Sequence, residues 1–266
     1  MEKRYALIGE HLGHSLSPLI HQRIMDLTGC PGTYEICELS QEQVSQWLLS
    51  EKALSLDGFN ITIPYKERWI AQMECSPQAK KIGAVNTVLK GQAGWKGYNT
   101  DYDGFKQTLL NHHLEIKDKK VYILGTGGAS KAVYTCIMDQ GPEAVYFVSR
   151  KEMGQNRLSY EAFNALDRAD IIINATPVGM WPHIEEEPIS LKNLQVEGLI
   201  DLIYNPLKTR LIKDAEAKGI IAINGLEMLI YQAIFAQELW QGKHWSDKEK
   251  ETLFLACSQE VLSFLS

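Results

Sequence analysis

Lys119-Lys120-Val121-Tyr122-Ile123-Leu124-Gly125-Thr126-Gly127-Gly128-Ala129-Ser130 is an apolar run of strand length that ends in a glycine-rich turn. Val, Tyr and Ile suit a pleated strand, and a helical pattern follows to about Gln140. Gly125-x-Gly127-x-x-Ser130 approximates the fingerprint of a dinucleotide-binding βα turn. The first glycine permits the tight turn. The second lets the backbone approach a pyrophosphate, whose charge the helix N-terminus favours. The third position is Ser rather than Gly or Ala, and glycine-rich βα turns also occur without a ligand. Gly125, Gly127, Gly128 and Ala129 are the candidate cradle.

Downstream, Ala144–Ser149, Ile171–Asn174, Leu199–Leu202 and Ile220–Ile223 read as strands at βα spacing, a doubly wound pattern. The second strand ends Val148-Ser149-Arg150-Lys151. An acid there would bind a ribose 2′-hydroxyl, whereas arginine accommodates a 2′-phosphate. Two cations and no acid favour NADP, with Arg150 and Lys151 as its readers; otherwise they are ordinary loop cations.

Upstream, Tyr5–Gly9, Thr33–Cys37, Gly58–Ile63 and Val85–Lys90 read as strands, with helical patterns at Pro18–Thr28 and Gln41–Ser50. The alternation predicts a mainly parallel α/β sheet. Glu227–Leu239 and Asp247–Leu265 are helical with no strand between them. The fold class is α/β with two domains, a parallel-sheet domain and a doubly wound Rossmann-type dinucleotide domain.

Asn60-Ile61-Thr62-Ile63-Pro64-Tyr65-Lys66 puts a lysine just past an apolar strand. Pro64 suits the first position of a helix, which would place Lys66 in a first turn where the macrodipole disfavours a cation. A lysine so placed is a candidate for proton transfer; the alternative is a snorkelling surface side chain. In Ser15-Leu16-Ser17-Pro18, two hydroxyls can share one carboxylate, or Ser17 can cap the helix that Pro18 opens. Asn86-Thr87 closes a strand, and Asn99-Thr100-Asp101 follows another.

Composition bounds the function. The 266 residues are 45% hydrophobic and 23% charged, an ordinary globular mixture, with a formal net charge of −6. That balance argues against a nucleic-acid or anionic-membrane surface. Tyr5–Ile8 is too short an apolar segment for a signal peptide, and no run is long enough for a membrane span. The five cysteines, Cys30, Cys37, Cys75, Cys136 and Cys257, form no CxxC pair, which suits reduced thiols in a cytoplasm. His14 and His21 lack spaced acidic or cysteine partners, so no metal site is expected.

Eight separated motifs occur in order: His14–Pro18, Asn60–Lys66, Gly83–Thr87, Asn99-Thr100-Asp101-x-x-Gly104, Gly125–Ala129, Asn174-Ala175-Thr176-Pro177-Val178-Gly179-Met180, Asp201–Pro206 and Asn224–Leu229. Together they resemble the shikimate dehydrogenase family over nearly the whole chain. The resemblance implies reversible NADPH-dependent reduction of 3-dehydroshikimate to shikimate, in aromatic amino-acid biosynthesis. It implies a discontinuous substrate domain, 1–102 with 229–266, and an NADP-binding domain, 103–228, with a cleft between them. Lys66 and Asp101 match the catalytic pair, and either can carry the proton. Ser15 and Ser17 match carboxylate-binding serines. Asn60, Thr62, Asn86 and Gln232 match positions at or near the ring hydroxyls, and Tyr204 a tyrosine of the substrate site. Thr176, Gly225 and Met228 fall on the cofactor side.

The chain departs from the family after Arg150. A helix and a strand are missing before Asn174, and only one short helical pattern, Tyr160–Leu166, remains. Two rival readings stay open. One is a quinate/shikimate dehydrogenase that uses NAD; the other is a non-catalytic ligand sensor on the same fold. The expected partner is a small-molecule substrate, without nucleic acid or membrane, acting on a cytoplasmic monomer or homodimer.

Overall fold

The computed structural model describes residues 2–150 and 156–265, so Lys151 lies outside the described residues. The chain divides into two compact units, Met1–Gly104 with Ile230–Ser266, and Phe105–Leu229.

The first unit opens with β1 (Lys3–Gly9), α1 (Ser17–Thr28), β2 (Gly32–Glu38), α2 (Val44–Trp47) and α3 (Glu51–Leu54). It continues with β3 (Gly58–Ile61), β4 (Glu74–Cys75), α4 (Pro77–Ile82), β5 (Thr87–Gly91), β6 (Gly94–Tyr98) and the start of α5 (Thr100–Asn111). Its sheet runs β2-β1-β3-β5-β6-β4. The pairs β1/β2, β1/β3 and β4/β6 are parallel, whereas β3/β5 and β5/β6 are antiparallel. The expected mainly parallel sheet is therefore mixed. Gly91 pairs with Gly94, so Gln92 and Ala93 close a two-residue hairpin, a connection that only antiparallel strands allow.

Two local expectations fail here. The helix read over Gln41–Ser50 shrinks to α2, and α3, which the reading did not include, follows because Ser50 is extended and its hydroxyl accepts from Ala53 N to cap a new turn. The strand read over Gly58–Ile63 ends at Ile61, and Pro64, after a cis Ile63–Pro64 bond, opens no helix. Residues 62–73 instead make successive turns, with Tyr65 N to Thr62 O at 2.9 Å and Arg68 N to Tyr65 O at 2.9 Å. Aromatic anchors hold this stretch. Tyr65 OH donates to Leu39 O at 2.6 Å, and Trp69 Nε1 to Val44 O at 3.2 Å, within a core that includes Trp47 and Phe59. Asn86 precedes β5 instead of closing a strand.

The second unit carries β7 (Lys120–Leu124), α6 (Gly128–Met138), β8 (Ala144–Val148), β9 (Arg157–Leu158), α7 (Tyr160–Asn164), β10 (Arg168–Asn174), β11 (Gln195–Asp201), α8 (Arg210–Ala217) and β12 (Ile221–Asn224). Its strands are all parallel, in the order β12-β11-β10-β7-β8-β9. Counted within the unit, that is the 3-2-1-4-5-6 order of the dinucleotide fold, with its switch point between β7 and β10. The missing strand survives as a rudiment, β9, and α7 is the short helix read over Tyr160–Leu166. Phe147 and Val148 pair with Arg157 and Leu158, and Ser159 caps the single turn of α7.

The chain returns through α9 (Leu226–Gln241) to α10 (Asp247–Leu265), and α10 packs on α1. The unit boundaries fall inside α5 and α9. Among the described residues, no helix is long and apolar enough to cross a membrane.

Candidate active site

In the first unit, Tyr65 and Trp69 are 1% and 0% exposed, and their anchorage leaves Lys66 at the surface of the turn between them. Its carbonyl accepts from Val85 N at 2.7 Å, which ties the turn to the segment before β5. Its ammonium donates to Asp101 Oδ2 at 2.6 Å, with the two side chains 12% and 8% exposed. The helix-terminus argument for Lys66 therefore gives way to an ion pair, since no helix surrounds the lysine. Asp101 lies in the first turn of α5 and accepts on both oxygens, Oδ1 taking Asn86 Nδ2 at 2.9 Å.

Asn86 is the hub. Its Oδ1 accepts from Thr100 N at 2.7 Å and Thr87 Oγ1 at 3.1 Å. Its Nδ2 also reaches Thr100 Oγ1 at 3.1 Å and Gln232 Oε1 at 3.4 Å. Asn60 Nδ2 donates to Asn86 O at 3.1 Å and Thr87 Oγ1 at 2.9 Å. Lys66, Asp101, Asn60, Asn86 and Gln232 are thus brought together by bonds that span 15 to 146 residues of chain. Thr87 and Thr100 belong to motifs visible in the sequence, which gives them no role; here they are buried struts.

Ser15 and Ser17 do not cap α1. Its N-cap is Leu16 with no side-chain hydrogen bond, and Ser15 Oγ accepts weakly from Ser17 N at 3.3 Å. The N-terminus of this 12-residue helix is left with both hydroxyls beside it, an arrangement suited to an anion. Thr62 is half-buried beside Gly9.

In the second unit, Gly125 follows β7 at φ +95°, the left-handed region that favours glycine. A Cβ there would sit 2.9 Å from Thr176 Cγ2, so Gly125 also lets the turns after β7 and β10 meet at the switch point. Gly127 is the N-cap of α6, with no side-chain cap and open space within 4 Å of where a Cβ would stand. Gly128 and Ala129 open the helix, whose first backbone N–H groups have no intrahelical partner, so these residues fit a pyrophosphate. Ser130, the imperfect third position, is fully buried and donates to Gly127 O at 2.5 Å, so its hydroxyl is satisfied inside the turn. Arg150 is exposed at the end of β8, close enough to Tyr160 to act on its phenol.

Thr176 is positioned by Asn174, whose Oδ1 accepts from Thr176 N at 3.0 Å and Oγ1 at 2.7 Å. Asn174 Nδ2 donates to Asp201 Oδ1 at 2.9 Å, and Thr209 Oγ1 donates to Asp201 Oδ2 at 2.7 Å. Tyr204 is half-buried, which raises its phenol, and Met228 is 8% exposed in α9. Gly225 is required sterically, because any Cβ would overlap the Leu202 carbonyl. Among the described residues, no cluster of three or more His, Cys, Asp or Glu is placed to hold a metal ion.

Asp201 makes a stability prediction. Burial pushes its carboxyl from 3.8 up to about 6, against the pull of its three donors. The folded state therefore binds more protons than the unfolded chain between these values. The associated stability is complete below about pH 4 and is lost as pH rises through about 6, a change of about 3 kcal/mol. The melting temperature of the native chain should fall relative to that of Asp201→Asn between pH 4 and 7. A difference independent of pH would contradict the assignment.

A mixed-sheet α/β unit and a doubly wound unit with an open glycine turn define a two-unit protein of the dinucleotide-dependent class. The sequence profile of the shikimate dehydrogenase substrate binding domain matches residues 7–88. Shikimate dehydrogenase (NADP(+)) of Clostridium beijerinckii is 39% identical over 259 residues, which span 94% of this chain and 96% of that protein. The crystal structure of shikimate dehydrogenase 1 from Peptoclostridium difficile aligns with a TM-score of 0.90 at 37% identity, over 99% of this chain and 100% of that one. Shikimate 5-dehydrogenase of Thermus thermophilus, in complex with NADP(H) and shikimate, aligns with a TM-score of 0.84 at 31% identity, over 97% and 99%. The chain belongs to the shikimate dehydrogenase family.

Proposed function

We propose that this protein catalyses the reversible NADPH-dependent reduction of 3-dehydroshikimate to shikimate, in the cytoplasmic route to chorismate and the aromatic amino acids. The observation that carries the reading is the Lys66–Asp101 pair, held at 2.6 Å by a network that includes Asn86 and Gln232. The first unit, completed by α9 and α10, is the substrate domain; the second binds the cofactor. NADPH, when bound, supplies the hydride to the ketone carbon.

The chain's own residues handle charge and protons. Ser15 and Ser17 hold the substrate carboxylate at the start of α1, where the backbone amides reinforce them. Asn60, Thr62, Asn86 and Gln232 orient the ring hydroxyls, and Tyr204 is a further substrate-binding residue. Reduction of the ketone develops negative charge on its oxygen. Lys66 stabilises that charge and delivers the proton, because one of its three N–H groups is spent on Asp101 and the others are available. Asp101, an acceptor on both oxygens, aims the ammonium.

Gly125, Gly127, Gly128 and Ala129 would cradle the pyrophosphate, Gly225 and Met228 would lie near the nicotinamide, and Thr176 is a further cofactor-binding residue. Arg150 reads the adenosine 2′-phosphate. Its frame is thin, since β9 has two residues and α7 one turn. Exposed ion pairs contribute about 0–1 kcal/mol, more for a bidentate arginine, so the NADP preference should be tens-fold.

The test crosses shikimate and quinate with NADP and NAD, for the native chain and Arg150→Ala. The expected result is a highest kcat/KM with shikimate and NADP, and a loss in Arg150→Ala confined to NADP. Equal use of both cofactors would remove Arg150 as the phosphate reader. Activity on quinate alone, or on neither compound, would overturn the reaction.

A further inference from the structure

Behind the candidate substrate side chains sits a tyrosine to which the reaction above assigns no role. Tyr34, on β2 and 8% exposed, donates its hydroxyl to Asn60 Oδ1 at 2.8 Å. That bond decides which way the Asn60 amide faces. With its oxygen turned to the phenol, its nitrogen points to Asn86 O at 3.1 Å and Thr87 Oγ1 at 2.9 Å. Thr87 Oγ1 donates in turn to Asn86 Oδ1, and Asn86 Nδ2 donates to Asp101. A hydrogen-bonded path therefore joins Tyr34 to the carboxylate that holds Lys66.

The ring of Tyr34 is itself fixed. It stacks on His21 with centroids 4.2 Å apart and planes 6° from parallel. His21 is fully buried, and Gln237 of α9 meets its Nδ1 at 3.1 Å. Burial lowers the imidazole to about 3, so it is an uncharged plate at neutral pH. Its Nε2 has no hydrogen-bond partner. Asn60 is thus held by the fixed Tyr34 hydroxyl at its oxygen and by the Asn86–Thr87 pair at its nitrogen.

We infer that Tyr34 is a positioning residue for substrate, setting the orientation of Asn60 through the hydrogen bond from its hydroxyl and so the ring-hydroxyl end of the site. This rests on the reaction proposed above. Tyr34 touches no reacting atom in this scheme, and its effect passes through Asn60.

Tyr34→Phe tests it, because the ring and its stack on His21 are kept and only the hydroxyl is lost. The expected result is a KM for shikimate raised about tenfold, the scale of one lost hydrogen bond with a stranded acceptor. kcat should change much less, and KM for NADP should not change. A merely structural tyrosine would lower the melting temperature and the active fraction, and so kcat, with KM untouched. KM does not depend on how much enzyme is folded, so a less stable variant still gives the answer. Asn60→Ala and the double variant complete a cycle: if Tyr34 acts mainly through Asn60, the double variant's KM rises by clearly less than the product of the two single effects. Tyr5→Phe is the control, since the Tyr5 hydroxyl is buried with no partner, and its removal should leave KM unchanged. An unchanged KM in Tyr34→Phe, or full multiplicativity in the cycle, overturns the inference while leaving the reaction standing. A native chain inactive on shikimate overturns the reaction instead.

Discussion

Lys66→Ala should lower kcat for shikimate oxidation by about 10²–10⁴-fold, the range for a positioned proton-transfer group, with a much smaller change in KM. The expectation rests on where the ammonium is useful. In the bound ground state the substrate oxygen is neutral, so a cation gains little from it. In the transition state the oxygen carries charge, in a site where Lys66 and Asp101 are only 12% and 8% exposed. Truncation also leaves the Asp101 carboxylate with Asn86 as its remaining side-chain donor, so the melting temperature should fall modestly. Stopped-flow measurement of the chemical step, beside steady-state kcat, is the direct check. Turnover within a few-fold of the native chain would remove Lys66 from the chemistry.

Replacing both Ser15 and Ser17 by alanine should act on the other kinetic parameter. Each hydroxyl given to a carboxylate is worth about 1.5–3 kcal/mol, so the pair should raise KM for shikimate by about 10²-fold or more. kcat at saturation should survive, because the carboxylate is remote from the reacting carbon. Neither hydroxyl caps α1, whose N-cap Leu16 makes no side-chain bond, so folding should be little affected. A double variant with native KM and a lowered melting temperature would show that the serines serve the helix alone.

The second unit was the more legible in sequence. Its strands are buried on both faces, so Val121–Leu124 and Ile171–Ile173 read as unbroken apolar runs, and the glycine turn between β7 and α6 is a local signal. The short β9 could not be read, because two residues have no periodicity. In the first unit, the helix read over Gln41–Ser50 is only the single turn of α2, and α3 beyond it went unread, because four residues are too few to show a helical period. Tyr34 gave no functional signal either. An aromatic residue in a strand reads as core, and only its contact with Asn60, 26 residues away, sets it apart.

Lys66 marks the division between the two sources. By itself the sequence determined the α/β class, the glycine cradle, the family motifs and hence the residue types available for chemistry. These are local patterns or fixed identities, and they survive without coordinates. It placed Lys66 in a helix, because proline followed by polar residues is the local signature of an N-terminus. Only the tertiary structure decided otherwise. Tyr65 and Trp69 are drawn into the core by burial and by bonds to Leu39 O and Val44 O, which commits residues 62–73 to turns. The lysine's electrostatic environment is then set by Asp101 and, through Asn86, by Gln232 on α9, groups that sequence separates and the packed sheet brings together.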